Sequence, residues 1–347
     1  MMNTVRSSAA IALLLCAGCS LSVSQSTVHE EPVQFSSGDA TLAGTLFLPN
    51  KPGRYPAVVL FHGSGPQPRD SARAEWFAEL GVAALAYDKR GVGQSTGDFR
   101  KIPFQDLVED GLAGIAFLKT RSDIDVTRIG VWGLSQGGWL GPLAASRSSD
   151  VAFMISVSGP GVTPGQQMVF YYANELRSQG LSDTDVEEVS ALRRRVWKYL
   201  ATGAGYEQIK SEVQRSKSKG WYAALHAQGD DLFGSFERAK AERNNNWFKT
   251  EINYDPVATL RKLKAPALFL FGGDDRLVPV HKSAEIIRQT LTASGHGDFT
   301  IKIFPGADHG LFVRDATGSL RLAPGYEETM KEWVLKRVRP MGAWSGP

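Results

Sequence analysis

Apolar residues along this chain fall into short solid runs separated by stretches with helical spacing. Ala57–Phe61, Val82–Tyr87, Ile129–Trp132, Val151–Val157, Ala267–Phe271 and Phe299–Phe304 read as buried strands. Ala72–Leu80, Phe104–Lys119, Gly138–Ala145, Ser283–Leu291 and Tyr326–Val338 read as helices. In Phe104–Lys119 the residues Leu107, Leu112, Ile115 and Leu118 share one face. Solid apolar strands alternating with helices predict an α/β fold, with a mostly parallel central sheet and helices on both faces. Ahead of it, residues 33–39 and 42–49 alternate in polarity around Gly38-Asp39, which predicts an antiparallel hairpin.

The alternation stops between residues 162 and 250. Charged helical segments replace it, such as Asp183–Leu200 with Ser182 as N-cap. Aromatics are dense there, among them Phe170, Tyr171, Trp197, Trp221, Trp247 and Phe248. The expected organisation is an α/β core in two pieces, 32–161 and 251–340, with 162–250 as a helical cap insertion over the sheet. The aromatics would be mostly core of that cap, with a subset lining an apolar pocket.

The first residues carry a different pattern. Arg6 precedes the apolar stretch Ala9–Ala17, too short for a bilayer, which takes roughly 20 residues. It ends in Cys16-Ala17-Gly18-Cys19, similar to a bacterial lipoprotein signal in which small residues precede a lipidated Cys. The usual Leu three positions before that Cys is Cys16 here. Residues 1–19 are therefore expected to be a lipoprotein-type signal peptide with Cys19 as the lipid-attachment site. An ordinary export signal is the alternative. Ser-, Thr- and Gln-rich residues 20–31 are expected to form a flexible tether. Either signal implies an exported protein, periplasmic or anchored to the outer membrane through Cys19.

Composition removes several function classes. The chain has 347 residues, 42% hydrophobic and 22% charged, enough for a sizeable core. Its net charge of +3 comes from scattered Lys and Arg, with no dense basic run, so no nucleic-acid partner is expected. Both cysteines lie in the leader, which excludes a disulfide framework, a thiolate nucleophile and a Cys-based metal site. No His, Asp and Glu cluster has metal-ligand spacing, so no metal is expected.

The most informative motif is Gly133-Leu134-Ser135-Gln136-Gly137, placed between a strand and a helix. That context makes a nucleophile elbow, a sharp turn that lifts a Ser hydroxyl clear of the sheet. Ser135 needs a base to take its proton. In such folds the base is a late His that follows an acid. His309, in the loop after the last strand, falls at the carboxyl edge of the sheet. His296 precedes that strand and is expected to be an exposed loop residue at the opposite edge, and His281 a surface residue. The acid should follow the strand Ala267–Phe271, where Asp274 and Asp275 both qualify. Asp308 is expected to form a turn. Donors for a tetrahedral oxyanion would be the N–H of Ser64 or Gly63, after the first central strand, and that of Gln136. Asp88–Ser95 matches neither a dinucleotide loop nor a phosphate loop. It is expected to be structural, with Asp88 and Arg90 bonding to backbone.

Together these segments resemble the α/β-hydrolase superfamily, in particular bacterial esterases and S33-type serine aminopeptidases. The resemblance rests on residues 42–46, on His62-Gly63-Ser64-Gly65-Pro66, on Asp88–Ser95, on the elbow, on Tyr254-Asp255-Pro256, on residues 272–279 and on Asp308-His309-Gly310. The family pattern Gly-x-x-Asp-x-x-Val-Pro implies that Asp275 is the acid. It also implies a Ser135–Asp275–His309 triad, an α/β-hydrolase fold, no cofactor and no metal. The expected activity is hydrolysis of a small-molecule carboxylic ester through an acyl-enzyme. Alternatives are an aminopeptidase or amidase, with Glu175, Glu187 or Glu188 holding the amine, an acyl thioesterase, and a non-catalytic envelope binding protein.

Overall fold

Hydrophobic alternation in the first hairpin produces two ten-residue strands, β1 (Val28–Ser37) and β2 (Ala40–Pro49), paired antiparallel from Val28↔Pro49 to Ser37↔Ala40. The computed structural model describes residues 28–227, 241 and 250–339. The expected signal segment with Cys19, as well as Trp247 and Phe248, lie outside the described residues. β1 begins four residues before the expected start of the core, so residues 28–31 are strand and not tether. Val28 is buried, and Arg121 holds the Glu31 carboxylate with two hydrogen bonds, at 2.6 and 2.9 Å.

The solid apolar runs form β3 (Tyr55–Phe61), β4 (Ala83–Tyr87), β5 (Ile124–Leu134), β6 (Phe153–Val157), β7 (Ala267–Gly272) and β8 (Phe299–Phe304). The sheet order is β1-β2-β4-β3-β5-β6-β7-β8, with β1, β2 and β4 antiparallel in sequence and all later neighbours parallel. Helices α1 (Ser71–Glu79), α2 (Leu107–Lys119) and α3 (Gly137–Arg147) connect the first strands. Alternate strand residues serve two cores. Val59, Phe61, Val131 and Phe269 pack on α2 and α3, whereas Val58, Leu60, Trp132 and Leu268 pack on α1 and on the last helix. This is the sheet covered on both faces that unbroken apolar strands require.

Between β6 and β7 lie α4 (Pro164–Ser178), α5 (Asp183–Thr202), α6 (Tyr206–Ser216) and α7 (Gly220–Ala227), with no strand among the described residues. α4 opens with a capping box of Thr163 and Gln166, and Ser182 caps α5 through the Asp185 N–H. These helices bury their own core of Leu176, Val189, Leu192, Leu200, Ile209 and Trp221. The short α8 (Pro256–Leu260) leads into β7, and α9 (Val280–Ala293) connects β7 to β8. A small hairpin of β9 (Phe312–Arg314) and β10 (Leu320–Leu322), not anticipated from the sequence, follows, then α10 (Tyr326–Val338).

Candidate active site

β5 ends at Leu134 and α3 begins at Gly137, so two residues make the whole reversal. Ser135 absorbs it at φ +57°, in the left-handed region that costs a side-chain-bearing residue energy. Its N–H donates to the Val157 carbonyl at 2.9 Å, and its own carbonyl accepts from Gly138 at 2.8 Å. A Cβ on Gly133 would lie 2.2 Å from the Gly137 oxygen, and one on Gly138 2.3 Å from Gly159 Cα. Only glycine fits this approach of elbow, helix and β6. The Ser135 hydroxyl is half-buried and has no hydrogen-bond partner among the described residues.

The loop after β7 supplies a carboxylate. Asp275 is buried, with a side chain that is 0% exposed, and its Oδ1 accepts from the N–H groups of Leu277 at 2.7 Å and Val278 at 3.0 Å. Its Oδ2 accepts from His309 Nδ1 at 2.7 Å. A neutral His309 that donates from Nδ1 keeps an acceptor lone pair on Nε2. Asp274 is exposed, so of the two adjacent carboxylates only Asp275 meets the imidazole. The His309 carbonyl accepts from Ser158 Oγ at 2.8 Å. The end of β6 therefore holds Ser135 through Val157 and His309 through Ser158. Asp275 and His309 are joined directly, while Ser135 and His309 share this strand end and no hydrogen bond with each other.

The Gly63 N–H is engaged, donating to Gln67 Oε1 at 3.0 Å. The N–H groups of Ser64 and Gln136 have no acceptor among the described residues. Of the two candidates in the first turn, Ser64 is thus the available one.

Beneath these amides lies a network that sequence reasoning missed. Lys89 is buried, and its ammonium donates to the Gly63 carbonyl at 2.9 Å, the Gly65 carbonyl at 3.0 Å and Gln136 Oε1 at 2.8 Å. Gln136 Nε2 donates in turn to Glu251 Oε1 at 3.1 Å. Burial pushes the Lys89 ammonium down to about 8 and the Glu251 carboxyl up to about 7. His62, at the end of β3, donates from Nε2 to the Tyr87 carbonyl, and burial with the nearby Lys89 charge lowers it to about 4. It stays neutral near pH 7.

Asp88 and Arg90 bond to backbone as expected, Asp88 accepting from the Arg69 and Gln94 N–H groups at 3.1 Å each and Arg90 donating to the Ser37 carbonyl at 3.0 Å, and both bind side chains as well. Asp88 accepts from Arg69 at 2.7 and 3.0 Å, and Arg90 from its guanidinium reaches Asp110, Asp39 and Ser37. Two charged residues within one loop find partners ahead of α1, in the first hairpin and on α2, which periodicity does not encode. His296 is buried and bonded to the Ala265 carbonyl, so it is not an exposed loop residue, though it does lie away from Ser135 at the start of β8. His281 is exposed and Asp308 closes a turn by accepting from Gly310 and Phe312. In the helical insertion, Glu187 pairs with Arg194, and Glu188 with Lys219 and Trp221, while Glu175 is half-buried.

One cavity adjoins the site and a second lies in the helical insertion. The first, about 460 Å³, is lined by Leu134 and Gly310, the neighbours of Ser135 and His309, together with Arg73, Trp76, Trp132 and Phe312. The other, about 550 Å³, lies between α4, α5 and the start of α9, with Phe170 and Trp197 in its wall. α4 is pinned to the acid loop, since Gln167 donates to the Leu277 carbonyl and Asn174 to that of Arg276.

Comparison with known proteins agrees with this architecture. Residues 58–318 match the model of the Alpha/beta hydrolase family. Esterase EstD of Thermotoga maritima is 27% identical over 294 residues, which is 81% of this chain but 61% of that esterase's own length. Quorum-quenching protein AidA of Acinetobacter baumannii is 26% identical over 89% of this chain and 95% of its own. Among solved structures, the Pyrococcus furiosus esterase superposes with a TM-score of 0.54 at 18% identity, covering 90% of this chain and 92% of that one. Acetyl xylan esterase 1 from Thermoanaerobacterium superposes with a TM-score of 0.55 at 18% identity, covering 91% and 86%. With a family match spanning most of the chain and the strand–Ser–helix reversal it requires, this chain belongs to the alpha/beta hydrolase family.

Proposed function

We propose that the protein is a serine hydrolase that cleaves small-molecule carboxylic esters through an acyl-enzyme. The observation that carries this reading is the pair of buried Asp275 and half-buried His309, 2.7 Å apart, anchored to the same strand end as a left-handed Ser135 with a free hydroxyl. In the reaction Ser135 Oγ attacks the acyl carbon while His309 Nε2 takes its proton. Asp275 keeps the imidazole in the Nδ1–H tautomer and balances the imidazolium that forms. The N–H groups of Ser64 and Gln136 hold the tetrahedral oxyanion. His309 gives its proton to the leaving alcohol, and water then frees the acyl-enzyme by the same steps in reverse. The cavity beside Leu134 and Gly310 offers room for one side of the ester, and the helical insertion acts as the cap.

The test is turnover of p-nitrophenyl acetate and butyrate together with labelling by a fluorophosphonate. Ser135→Ala should lose labelling and about 10⁶-fold in kcat. An unlabelled, inactive wild-type protein sinks the reading and leaves the binding-protein alternative. Aminoacyl amides and acyl thioesters in the same panel separate the amidase and thioesterase variants, and the pairing of Glu187 and Glu188 within the insertion argues against an amine site there. The relatives named as esterases support the ester choice.

Export with a lipid on Cys19 belongs to the same proposal, on the strength of Cys16-Ala17-Gly18-Cys19. Cys19→Ala should move the protein from the membrane fraction to the soluble fraction. Wild-type protein that fractionates as soluble overturns the anchor.

A further inference from the structure

We infer that Lys89 is a positioning residue for the oxyanion hole, clamping the Gly63–Gly65 turn and Gln136 together from inside the fold, with Glu251 as its counter-charge on the segment that returns from the helical insertion. The inference rests on the esterase reading above.

The clamp is built around the Lys89 ammonium. It carries three donors and no acceptor, and three acceptors surround it at 2.9, 3.0 and 2.8 Å. Every one belongs to the two segments whose free N–H groups face the reaction. Burying an ammonium is costly even after relaxation, so packing alone would be met better by Met or Leu. The Gly63 carbonyl and the Ser64 N–H are the two ends of one planar trans peptide, and they point in opposite directions. Fixing the carbonyl inward on Lys89 therefore turns the Ser64 N–H away from the core. On the other side Lys89 grips Gln136 Oε1, and Glu251 grips Gln136 Nε2, which leaves the Gln136 side chain no freedom at the foot of α3.

The charges around the clamp are few. Glu251 faces it from the returning segment, Asp110 from α2, and His62, neutral, from the end of β3. Its chain neighbours Asp88 and Arg90 are held by Arg69 and Asp110. The Phe99 ring lies 4.8 Å away. Glu251 is thus the counter-charge connected to Lys89 through a shared side chain. Thr250, the residue before it, accepts from Phe104 N at 2.7 Å, which fastens the segment to the core.

Deprotonation leaves Lys89 two N–H donors for three acceptors, so the hold loosens as pH rises through about 8. The sign is fixed: the clamp is complete below that pH and fails above it. Removing the Glu251 charge should make the ammonium easier to deprotonate and move the loss to lower pH.

The experiment uses the purified full chain, p-nitrophenyl acetate kinetics from pH 6 to 10, and fluorophosphonate labelling. Wild type should show kcat falling above about pH 8 while KM changes little. Lys89→Met should lower kcat by about 10- to 100-fold at pH 7, a fraction of what losing an oxyanion donor costs, with KM within about threefold, and should lack the alkaline fall. Glu251→Gln should keep that fall but shift it to lower pH. A wild-type kcat that is flat from pH 7 to 10 overturns the clamp whether or not Lys89→Met folds. So does Lys89→Met with kcat within about twofold of wild type. An active, labelled wild type in either case leaves the esterase reading standing, whereas a wild type inert to both reagents at every pH removes the esterase reading itself.

Discussion

In the proposed reaction His309 can act as the base only because of what is bound to it. Its Nδ1–H lies on a carboxylate that two backbone amides also grip, so the acid cannot rotate away. His62, beside the Gly63–Gly65 turn in sequence, is placed differently, because its Nε2–H is given to the Tyr87 carbonyl and burial keeps it neutral. The difference between the two imidazoles predicts the behaviour of Asp275→Asn. An amide at this position can donate to Nδ1, which puts the ring proton on Nε2, facing the nucleophile. kcat for p-nitrophenyl acetate should fall about 10⁴-fold with the far-ultraviolet circular dichroism unchanged. Retained activity in this variant would show that Asp275 does not orient the base.

At the scale of elements, the candidate site is made by reversals at the carboxyl ends of β3, β5, β7 and β8, and the end of β6 holds both Ser135 and His309. The elbow is the tightest. α3 can start two residues after β5 only because Gly133, Gly137 and Gly138 let backbones approach more closely than any Cβ allows. Gly138→Ala should destabilise the fold by about 1–3 kcal/mol in urea unfolding, since the new methyl meets backbone of Gly159 that cannot yield easily. Gly297→Ala, in an exposed loop with nothing within 4 Å of the added carbon, is the control and should change stability by less than about 0.5 kcal/mol. α4 takes part at this scale too, because its bonds to Leu277 and Arg276 brace the loop that carries Asp275.

Across the whole molecule, the Asp88–Ser95 loop acts as a hub. Asp88 binds Arg69 ahead of α1, Lys89 reaches the Gly63–Gly65 turn and the elbow, and Arg90 joins the first hairpin to α2. Arg90 and Asp110 are almost wholly buried, with side chains 5% and 2% exposed, and they meet at 2.6 Å. Removing one partner leaves an uncompensated buried charge. Asp110→Ala should therefore cost about 3–5 kcal/mol, read as a fall in the urea midpoint. A loss under about 1 kcal/mol would mean that Asp39, whose side chain is 88% exposed, is the partner that matters.

What was legible along the chain was whatever a few neighbouring residues decide among themselves. Solid apolar runs, helical spacing, the hairpin around Gly38 and the glycines about Ser135 are local demands of sterics and burial, and strands, helices and elbow stand where they were expected. Family resemblance, not spacing, picked Asp275 over Asp274. Only the folded chain shows that Asp275 turns inward to His309 while Asp274 faces solvent, and that Gly63 gives its N–H to Gln67 and leaves Ser64 free. It also pulls residues 28–31 into a strand and buries His296. Lys89 lies in the Asp88–Ser95 loop that carries the resemblance, yet nothing along the chain indicated its partners or those of Glu251. Lys89 meets Gln136 across 47 positions and Gln136 meets Glu251 across 115. Such contacts exist only once the sheet has set its strand order, because hydrogen bonds and charges act over a few ångströms of space and are blind to distance along the chain.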